Sequence, residues 1–253
     1  MSTGKAASQF RLLVLTDIHY SRAPSRILAR RTQLGLELPR RAIEDASRRG
    51  GFDAVAILGD VLDDGASPDG DLLLQELADC IRAAAARTPL VVVPGNHDGD
   101  FDRFFSAFGD APGLHRIGQY RFITFADSYA AGDVCTRDQA GRDLLRQVAA
   151  EEGGPIIVLQ HNPMNPAIDD PYPYMLTNRD QVMRDYADAG VLLSISGHYH
   201  RGQELSESQG VKYLTAPALC ESPFRYLLVR LNGRQVRVDG GRLESGPDDT
   251  EQS

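Results

Sequence analysis

The chain has 253 residues, of which 42% are hydrophobic and 25% are charged, an ordinary globular composition long enough for one large domain or two small ones. Acidic residues outnumber basic ones by 35 to 27, which gives a formal net charge of −8. This acidity argues against nonspecific binding to DNA or to an anionic membrane surface.

Nine segments of the chain have the patterns of β-strands. Five are short, apolar and bounded by turn residues, as expected for buried strands, and they cover residues 10–16, 54–58, 90–93, 156–160 and 191–196. Three more alternate apolar and polar residues in the manner of half-exposed strands, at residues 119–126, 211–215 and 224–231. A last strand, residues 234–239, is predicted after the turn at Asn232-Gly233.

Four amphipathic segments between the strands predict helices, at residues 34–49, 71–87, 137–152 and 177–189. Pro39 predicts a kink or a late start in the first helix, because proline lacks a backbone donor. The alternation of strands and helices, followed by strand-rich sequence, predicts an α/β (α+β) fold with two packed sheets and helices outside. We expect residues 10–243 to form one domain between a disordered N-terminus, residues 1–9, and a polar tail, residues 244–253.

The cysteines and the apolar segments bear on the compartment in which the protein works. Cys80, Cys135 and Cys220 are widely spaced and odd in number, which argues against a disulfide framework or a Cys-rich zinc site and favours free thiols. The N-terminal residues lack the apolar stretch of a signal peptide, and no later run approaches the roughly 18 apolar residues of a membrane span. We therefore expect a cytoplasmic protein.

Residues that can bind metal ions recur directly after the five buried strands. They are Asp17 and His19, then Asp60, then Asn96, His97 and Asp98, then His161, and finally His198 and His200. Because the carboxyl ends of parallel strands meet at one edge of a sheet, we expect these loops to converge. The i, i+2 pairs predict side chains that point the same way from an extended segment, which would turn Tyr199 away from the metals.

The chemistry of these residues fits two divalent ions. Aspartate and imidazole suit Mn, Fe, Zn, Co or Ni, and the absence of thiolates from the set argues against a structural zinc site. One aspartate can bridge two metal ions that lie roughly 3.5–4 Å apart. Two such ions carry four positive charges against the two negative charges of Asp17 and Asp60. The site would thus be locally positive and suited to a phosphate ester, despite the acidity of the whole chain.

Five motifs occur in order between Asp17 and His200: D-x-H, G-D-x-x-D (Gly59, Asp60 and Asp63), G-N-H-D, a single histidine, and G-H-x-H. Each is weak alone, but the complete ordered set resembles the calcineurin-like metallophosphoesterase family. The resemblance implies a four-layer αββα sandwich of two mixed β-sheets flanked by helices. It also implies hydrolysis of a phosphate ester by a metal-activated hydroxide.

The resemblance assigns roles by motif position. The first metal ion would be held by Asp17, His19 and His200, the second by Asn96, His161 and His198, and Asp60 would bridge the two. Asn96 and His97 would contact the substrate, with His97 assisting the leaving group as a histidine that binds no metal. Asp98 would orient His97, a pairing that favours the charged imidazolium. Mn and Fe are the favoured metals, and Zn, Co and Ni stay open.

Within the family, the motifs are most similar to those of bacterial class III cyclic-nucleotide phosphodiesterases. The similarity includes the G-D-x-x-D and G-N-H-D motifs and the segments 125–128 and 215–220. It implies a phosphodiesterase acting on a small-molecule phosphate ester such as 3′,5′-cAMP, and a homodimer is compatible with it. A phosphomonoesterase, a nucleotide pyrophosphatase, a nuclease and a non-catalytic protein-binding scaffold are the alternatives. The net acidity disfavours a long nucleic acid as partner.

Several features near these motifs have more than one interpretation. The arginine-rich residues 22–49 are typical of a solvated helix face, although one or two arginines could reach a phosphate. In the proline-rich residues 162–175, Tyr172 and Tyr174 could stack on a nucleobase or merely pack the loop. Asp63, next to Asp64, is typical of a solvated acidic loop, and His115 is expected to be structural or exposed.

Overall fold

Two mixed β-sheets pack face to face in this protein, and helices cover the outer face of each sheet. The structure is a computed structural model that describes residues 9–168 and 172–244. The predicted disordered ends therefore lie outside the described residues, apart from single residues at their borders. The predicted fold class is confirmed, because the described residues form four layers in the order helix, sheet, sheet, helix.

The strands of the described chain follow one another in this order. They are β1 (Phe10–Leu15), β2 (Ala54–Leu58), β3 (Leu90–Val93), β4 (Gly113–Ile117), β5 (Tyr120–Thr124), β6 (Tyr129–Ala130), β7 (Val134–Cys135), β8 (Ile156–Leu159), β9 (Leu193–Ser196), β10 (Gln203–Ser208), β11 (Val211–Thr215), β12 (Arg225–Asn232) and β13 (Gln235–Arg242). The helices are α1 (Glu37–Arg48), α2 (Gly70–Ala85), α3 (Phe101–Phe108), α4 (Gln139–Ala150) and α5 (Arg179–Asp188), and a 3-10 turn covers Thr32–Leu34.

The first sheet has the order β13-β12-β1-β2-β3 and the second has the order β10-β11-β9-β8-β5-β4. The strands β1, β2 and β3 are parallel to one another, and so are β5, β8, β9 and β11. The antiparallel strands lie at the sides, with β12 and β13 on the first sheet and β10 and β4 on the second. Each sheet therefore has a parallel part, which is central in the second sheet and extends to β3 at the side of the first, and the carboxyl ends of its strands share one edge.

Alternation along β1 shows how one strand serves two layers. Leu12 and Val14 belong to the core between the two sheets, whereas Leu13 and Leu15 pack against α1, α2 and α3. Both sets are buried, because a parallel strand with a second sheet on one face and helices on the other is covered on both sides. The strand consequently reads as a continuous apolar run.

The predicted strands and helices are present, with ends shifted by a few residues. The first helix begins at Glu37, so Pro39 lies in its first turn, where a missing N–H costs little, and the late start is the correct alternative. Helix α3 was not predicted, although Asp100 caps it by accepting a hydrogen bond from the backbone N–H of Arg103 at 2.9 Å. Strands β4 and β10 and the short β6–β7 pair were also missed.

Two expectations about location can be compared with the structure. Among the residues that the structure describes, no helix is both long and apolar enough to cross a membrane. Cys135 and Cys220 are buried and Cys80 is partly buried, and none of the three forms a disulfide.

Candidate metal centre

The loops that follow β1, β2, β3, β8 and β9 bring the predicted metal ligands to one edge of the sandwich. The convergence was predicted for the edge of one parallel sheet, but here both sheets contribute. Asp17 joins them, because its Oδ2 accepts a hydrogen bond from the backbone N–H of His198 at 3.0 Å and another from Thr16 Oγ1 at 2.7 Å. The backbone N–H of Gly197 also donates to the carbonyl oxygen of His161 at 3.0 Å.

Four of the predicted ligands have a left-handed backbone, which is uncommon for residues other than glycine. The φ angles are 52° at Asp17, 48° at His19, 49° at Asp60 and 64° at His198. The i, i+2 pairs were expected to point the same way from an extended segment, and the assumed extended backbone is wrong. Sharp left-handed bends aim these side chains at a common point, and such strain is typical of functional sites.

Glycines beside the ligands allow this close approach. A Cβ atom on Gly95 would overlap Oδ1 of Asp60, and one on Gly197 would overlap Oγ1 of Thr16. Because the loops after β2 and β3 and the loops after β1 and β9 touch at these points, any side chain there would push the ligand aspartates out of place.

The first group of donor atoms comprises Oδ1 of Asp17, Nε2 of His19 and Nε2 of His200. The two Nε2 atoms lie 3.3 Å apart, and Oδ1 of Asp17 lies 3.4 Å from that of His200 and 4.0 Å from that of His19. All three residues are buried or partly buried. Three donor atoms at these separations lie close enough together to bind a single cation.

The second group comprises Nε2 of His161 and Nδ1 of His198, which lie 2.8 Å apart. Asp60 connects this group with the first: its Oδ2 lies 3.3 Å from Nε2 of His161, 3.9 Å from Nδ1 of His198 and 3.6 Å from Nε2 of His19. A single carboxylate oxygen thus faces both groups of imidazole nitrogens, which is the position that a bridging ligand requires.

Unpaired buried atoms test whether a metal ion fits. Among the described residues, Oδ1 of Asp17 and Oδ1 of Asn96 are buried without a hydrogen-bond partner. A buried acceptor without a partner is costly, and a cation beside each atom would satisfy it. The buried Asp and His cluster therefore fits a metal site, and its oxygen and nitrogen donors suit a divalent transition metal.

The charges of the cluster agree with this fit. Burial alone would raise the pKa of Asp60, but the charge and hydrogen bond of His161 outweigh it and hold that pKa well below its usual value. Burial lowers the pKa of His19 well below its usual value and also lowers the pKa of His198. Asp60, His19 and His198 are therefore in the deprotonated form that binds metal ions.

Three contacts behind the ligands were not predicted in these roles from the sequence. Nδ1 of His200 donates to Oε1 of Glu221 at 2.6 Å, and Nδ1 of His161 donates to the carbonyl oxygen of Leu58 at 2.6 Å. Nδ1 of His19 lies 3.2 Å from Nη1 of Arg30 and 3.5 Å from Oδ1 of Asp63. The contacts of His200 and His161 fix each ring so that its other nitrogen faces the cluster, as carboxylate or carbonyl partners do in metal sites.

Asp63 is not the solvated loop residue that its acidic neighbourhood predicted. Its side chain is 22% exposed, and its Oδ1 accepts from Nη1 of Arg30 at 3.1 Å. Arg30 is thus an arginine of residues 22–49 that reaches the site, whereas Arg40 and Arg48 form ion pairs on the exposed face of α1, as expected. His115 lies away from the cluster, with Nε2 3.3 Å from Oγ1 of Thr124.

Asp98 does not orient His97 as the resemblance implies. Its Oδ1 accepts from the backbone N–H groups of Val61 at 2.7 Å and Leu62 at 3.0 Å, and its Oδ2 accepts from Gly95 at 2.7 Å. The buried carboxylate therefore ties the loop after β2 to the loop after β3. Its pKa is raised to about 7 by burial and by the nearby charge of Asp60.

His97 is held instead by a backbone group. Its Nδ1 lies 2.6 Å from the carbonyl oxygen of Asp63, so Nδ1 is the donor, and its ring meets that of His19 edge-on at 4.8 Å between centroids. His97 and Asn96 line a cavity of about 670 Å³ together with Asp60, His198 and His200. The two predicted substrate-contacting residues thus share one cavity with three further predicted metal ligands.

Tyrosines form one wall of this cavity. Tyr172, Tyr174 and Tyr199 line it, and the ring of Tyr199 lies 5.1 Å from that of Tyr172 between centroids. The prediction that Tyr199 turns away from the site assumed an extended segment, and the left-handed backbone at His198 removes that assumption.

Comparisons with known proteins agree with this arrangement. A family model described as calcineurin-like phosphoesterase matches residues 10–202, which is more than half of the chain. A search of curated proteins finds no match. The fold is similar to that of a dimetal phosphatase from Danio rerio, with a TM-score of 0.69 and 18% identity, covering 93% of this chain and 97% of that chain.

Two further solved structures share the fold. One is GAP50, described as the anchor in the inner membrane complex of Plasmodium, with a TM-score of 0.62, 14% identity, and coverage of 94% of this chain and 89% of that chain. The other is the purple acid phosphatase PPD1 from yellow lupin seeds, with a TM-score of 0.64, 12% identity, and coverage of 93% and 52%. At these identities the likeness establishes the fold alone.

Proposed function

Because this chain belongs to the calcineurin-like phosphoesterase family, we propose that it is a two-metal phosphodiesterase with 3′,5′-cAMP as the favoured substrate. The observation that carries the proposal is the shared position of Oδ2 of Asp60, 3.6 Å from Nε2 of His19 and 3.3 Å from Nε2 of His161. An oxygen that faces two groups of donors fits a pair of ions better than a single ion.

The residues that would hold the two ions divide into two sets around Asp60. Asp17, His19 and His200 form the first set, and Asn96, His161 and His198 form the second. When bound, two divalent ions such as Mn or Fe, or alternatively Zn, Co or Ni, supply Lewis acidity and lower the pKa of water. The protein's part is to hold the donors rigidly in place, which Glu221 and Leu58 support through Nδ1 of His200 and Nδ1 of His161.

His97 is the proposed proton donor to the leaving group. Since a carbonyl oxygen only accepts, the contact with Asp63 requires a proton on Nδ1 and leaves Nε2 for the substrate. Nε2 can donate to a departing oxygen when the ring is an imidazolium, so His97 would act as a general acid. Asn96 offers a side-chain amide in the same cavity, whose N–H₂ group can donate to a phosphoryl oxygen while Oδ1 faces a cation.

Asp98 is a positioning residue in this proposal. Its three backbone hydrogen bonds hold the loops that carry Asp60 and Asn96 at a fixed separation. A displacement of either loop would separate the substrate from the groups that act on it, which is why precise supports contribute to catalysis.

The choice of a diester, and of cAMP, depends on the motif similarity to class III cyclic-nucleotide phosphodiesterases. A phosphomonoesterase or a nucleotide pyrophosphatase could use the same donors, since a fold or motif does not fix the substrate. A non-catalytic scaffold is the alternative from another class, and GAP50 has a similar fold and is described as an anchor. The complete donor set and the presence of His97 support an enzyme here. A cytoplasmic location, a single domain over residues 10–243 and a homodimer stay predictions.

A panel of substrates tests the proposal. Metal-stripped protein is reconstituted with Mn²⁺ and assayed with bis-p-nitrophenyl phosphate, p-nitrophenyl phosphate and 3′,5′-cAMP. The proposal expects metal-dependent turnover of the diester and of cAMP, with little turnover of the monoester. Turnover of the diester without cAMP would discard the cyclic nucleotide, and inactivity of protein that binds two ions would favour the scaffold.

A further inference from the structure

Three tyrosines beside the candidate metal centre form a wall that the proposed chemistry at phosphorus does not use. The ring of Tyr172 meets those of Tyr174 and Tyr199 edge-on, with 5.4 Å and 5.1 Å between centroids. Tyr172 and Tyr174 also contact the ring of His198, at 5.8 Å and 5.2 Å between centroids. The wall therefore begins at a predicted metal ligand and extends away from it.

The three rings are only partly buried, so each leaves surface open to the cavity. Tyr186 on α5 and Tyr213 on β11, by contrast, are fully covered in the outer core of this protein. Open aromatic surface in a cavity is unfavourable in water unless a ligand covers it.

The hydroxyl groups of Tyr172 and Tyr174 have different surroundings. Oη of Tyr172 donates to the carbonyl oxygen of His198 at 2.8 Å, which fixes the wall relative to the metal centre. For Oη of Tyr174, no hydrogen-bond partner exists among residues 9–168 and 172–244. That hydroxyl can therefore meet a polar atom of a ligand, and Tyr174 combines an open ring with an available donor and acceptor.

We propose that Tyr172, Tyr174 and Tyr199 form a subsite that binds a planar aromatic group, namely the nucleobase, of the substrate whose phosphate lies at the metal centre. This inference depends on the proposed function and assigns the residues that would bind the base of its nucleotide substrate. The cavity holds about 670 Å³ and contains the tyrosines together with Asn96, His97 and His200. A volume within the range of ~300–1,000 Å³ is typical of sites for ligands of nucleotide size.

Rings arranged edge-to-face present open faces and edges to a further ring, and base stacking on aromatic side chains is tolerant of base identity. The subsite would therefore favour nucleotides over phosphate esters without a ring and would discriminate weakly among the bases. Ile27 lines the same cavity and is 49% exposed, so it offers further apolar surface to a planar ligand.

Binding of two ligands that differ only in the base tests the subsite without any turnover. The ligands are the phosphonate analogues of AMP and of ribose 5-phosphate, whose C–P bond is not hydrolysed, and the measurement is calorimetric titration of the Mn²⁺-loaded protein. The subsite predicts that the native protein binds the AMP analogue more tightly, by roughly five- to a hundredfold, as expected for base stacking.

The variants Tyr174→Ala and Tyr199→Ala should each lose most of this preference while binding the ribose analogue within about twofold of the native protein. Tyr174→Phe is the matched control, since it keeps the ring, and it should retain most of the preference. Tyr172 is left unchanged because its hydroxyl supports His198.

Three outcomes would contradict the subsite. Equal affinity of the native protein for both analogues would overturn it and leave the phosphate site intact. Equal weakening of both analogues in the alanine variants would show that the tyrosines only support the loop. Failure of the native, metal-loaded protein to bind either analogue would contradict a nucleotide phosphate site at the metal centre together with the subsite.

Discussion

Glu221 and His200 are joined by a hydrogen bond of 2.6 Å, in which Nδ1 of the imidazole donates to Oε1 of the carboxylate. The contact turns Nε2 of His200 toward Oδ1 of Asp17, 3.4 Å away. Glu221 thereby supports a donor atom of the first group from behind, although it does not itself face that group. Partners of this kind orient an imidazole and raise its basicity as a ligand.

Removal of the Glu221 carboxylate should weaken metal binding. We expect Glu221→Ala to lower the affinity of the first site by roughly 10- to 100-fold, the usual effect of losing such a partner. Competition between the protein and a chelator of known affinity measures this change. Glu207→Ala removes an exposed carboxylate on β10 and should leave the affinity unchanged. Equal affinities of the Glu221 variant and the native protein would contradict the supporting role.

Metal binding should release protons at pH 8. Burial would lower the pKa of both His161 and His200, but Asp60 raises that of His161 to about 9, and Asp17 and Glu221 raise that of His200 to about 10. Both imidazoles are therefore protonated at pH 8 in the metal-free protein and must lose a proton to bind a metal ion. The affinity should accordingly rise with pH up to about 10.

Calorimetric titration of Mn²⁺ into metal-free protein, in buffers of different ionisation enthalpy, measures this release. We expect about two protons per chain, one from each raised histidine. At this pH Asp98, whose pKa is about 7, is mostly ionised, and His19 and His198, whose pKa values are lowered, are neutral. Binding without proton release would show that the two imidazoles are already deprotonated.

The substitution Asp98→Ala should lower the stability of the folded protein. The variant leaves the buried backbone N–H groups of Val61, Leu62 and Gly95 without their acceptor. We expect the free energy of unfolding to fall by roughly 3 kcal/mol, since each lost bond to a charged group costs about 1 kcal/mol or more. Chemical denaturation measures this change, with the exposed Asp102→Ala as control. Unchanged stability with a large loss of kcat would instead restore a direct role for Asp98 beside His97.

His97→Ala should keep the metal ions and lose leaving-group assistance. We expect a loss of roughly 100- to 10,000-fold in kcat on esters with poor leaving groups, and a smaller loss on p-nitrophenyl esters, which need no proton. Parallel assays on both classes, with elemental analysis for the metals, make the comparison. His115→Ala, outside the site, should leave kcat unchanged. Equal losses on both classes would exclude general-acid catalysis by His97.

The positions of the strands along the chain, and of the potential ligands that follow them, were predictable because they depend on local sequence pattern. Short apolar runs such as β1 and β3 are bounded by turn residues, and the potential ligands directly follow them. Contacts between distant segments were not predictable in the same way. Glu221 lies in no motif, and Arg30 reaches Asp63 only because the loop after β1 folds back over the site.

Two predictions about the site were wrong because of the backbone conformation of the loops. Composition does not reveal a left-handed φ at Asp17 or His198, so the extended geometry assumed for the i, i+2 pairs was wrong. The resemblance to the family implied that Asp98 orients its neighbour His97. The loop instead turns the carboxylate toward the backbone of Val61 and Leu62, and the contact of His97 is the carbonyl oxygen of Asp63.

The metal content of Asp60→Ala tests the central claim most directly. Elemental analysis after reconstitution with Mn²⁺ and removal of free metal gives the number of ions per chain, with the exposed Asp64→Ala as matched control. If Oδ2 of Asp60 joins both sites, the native protein and the control hold two ions and Asp60→Ala holds at most one. Two ions retained by Asp60→Ala would contradict a centre built around this carboxylate.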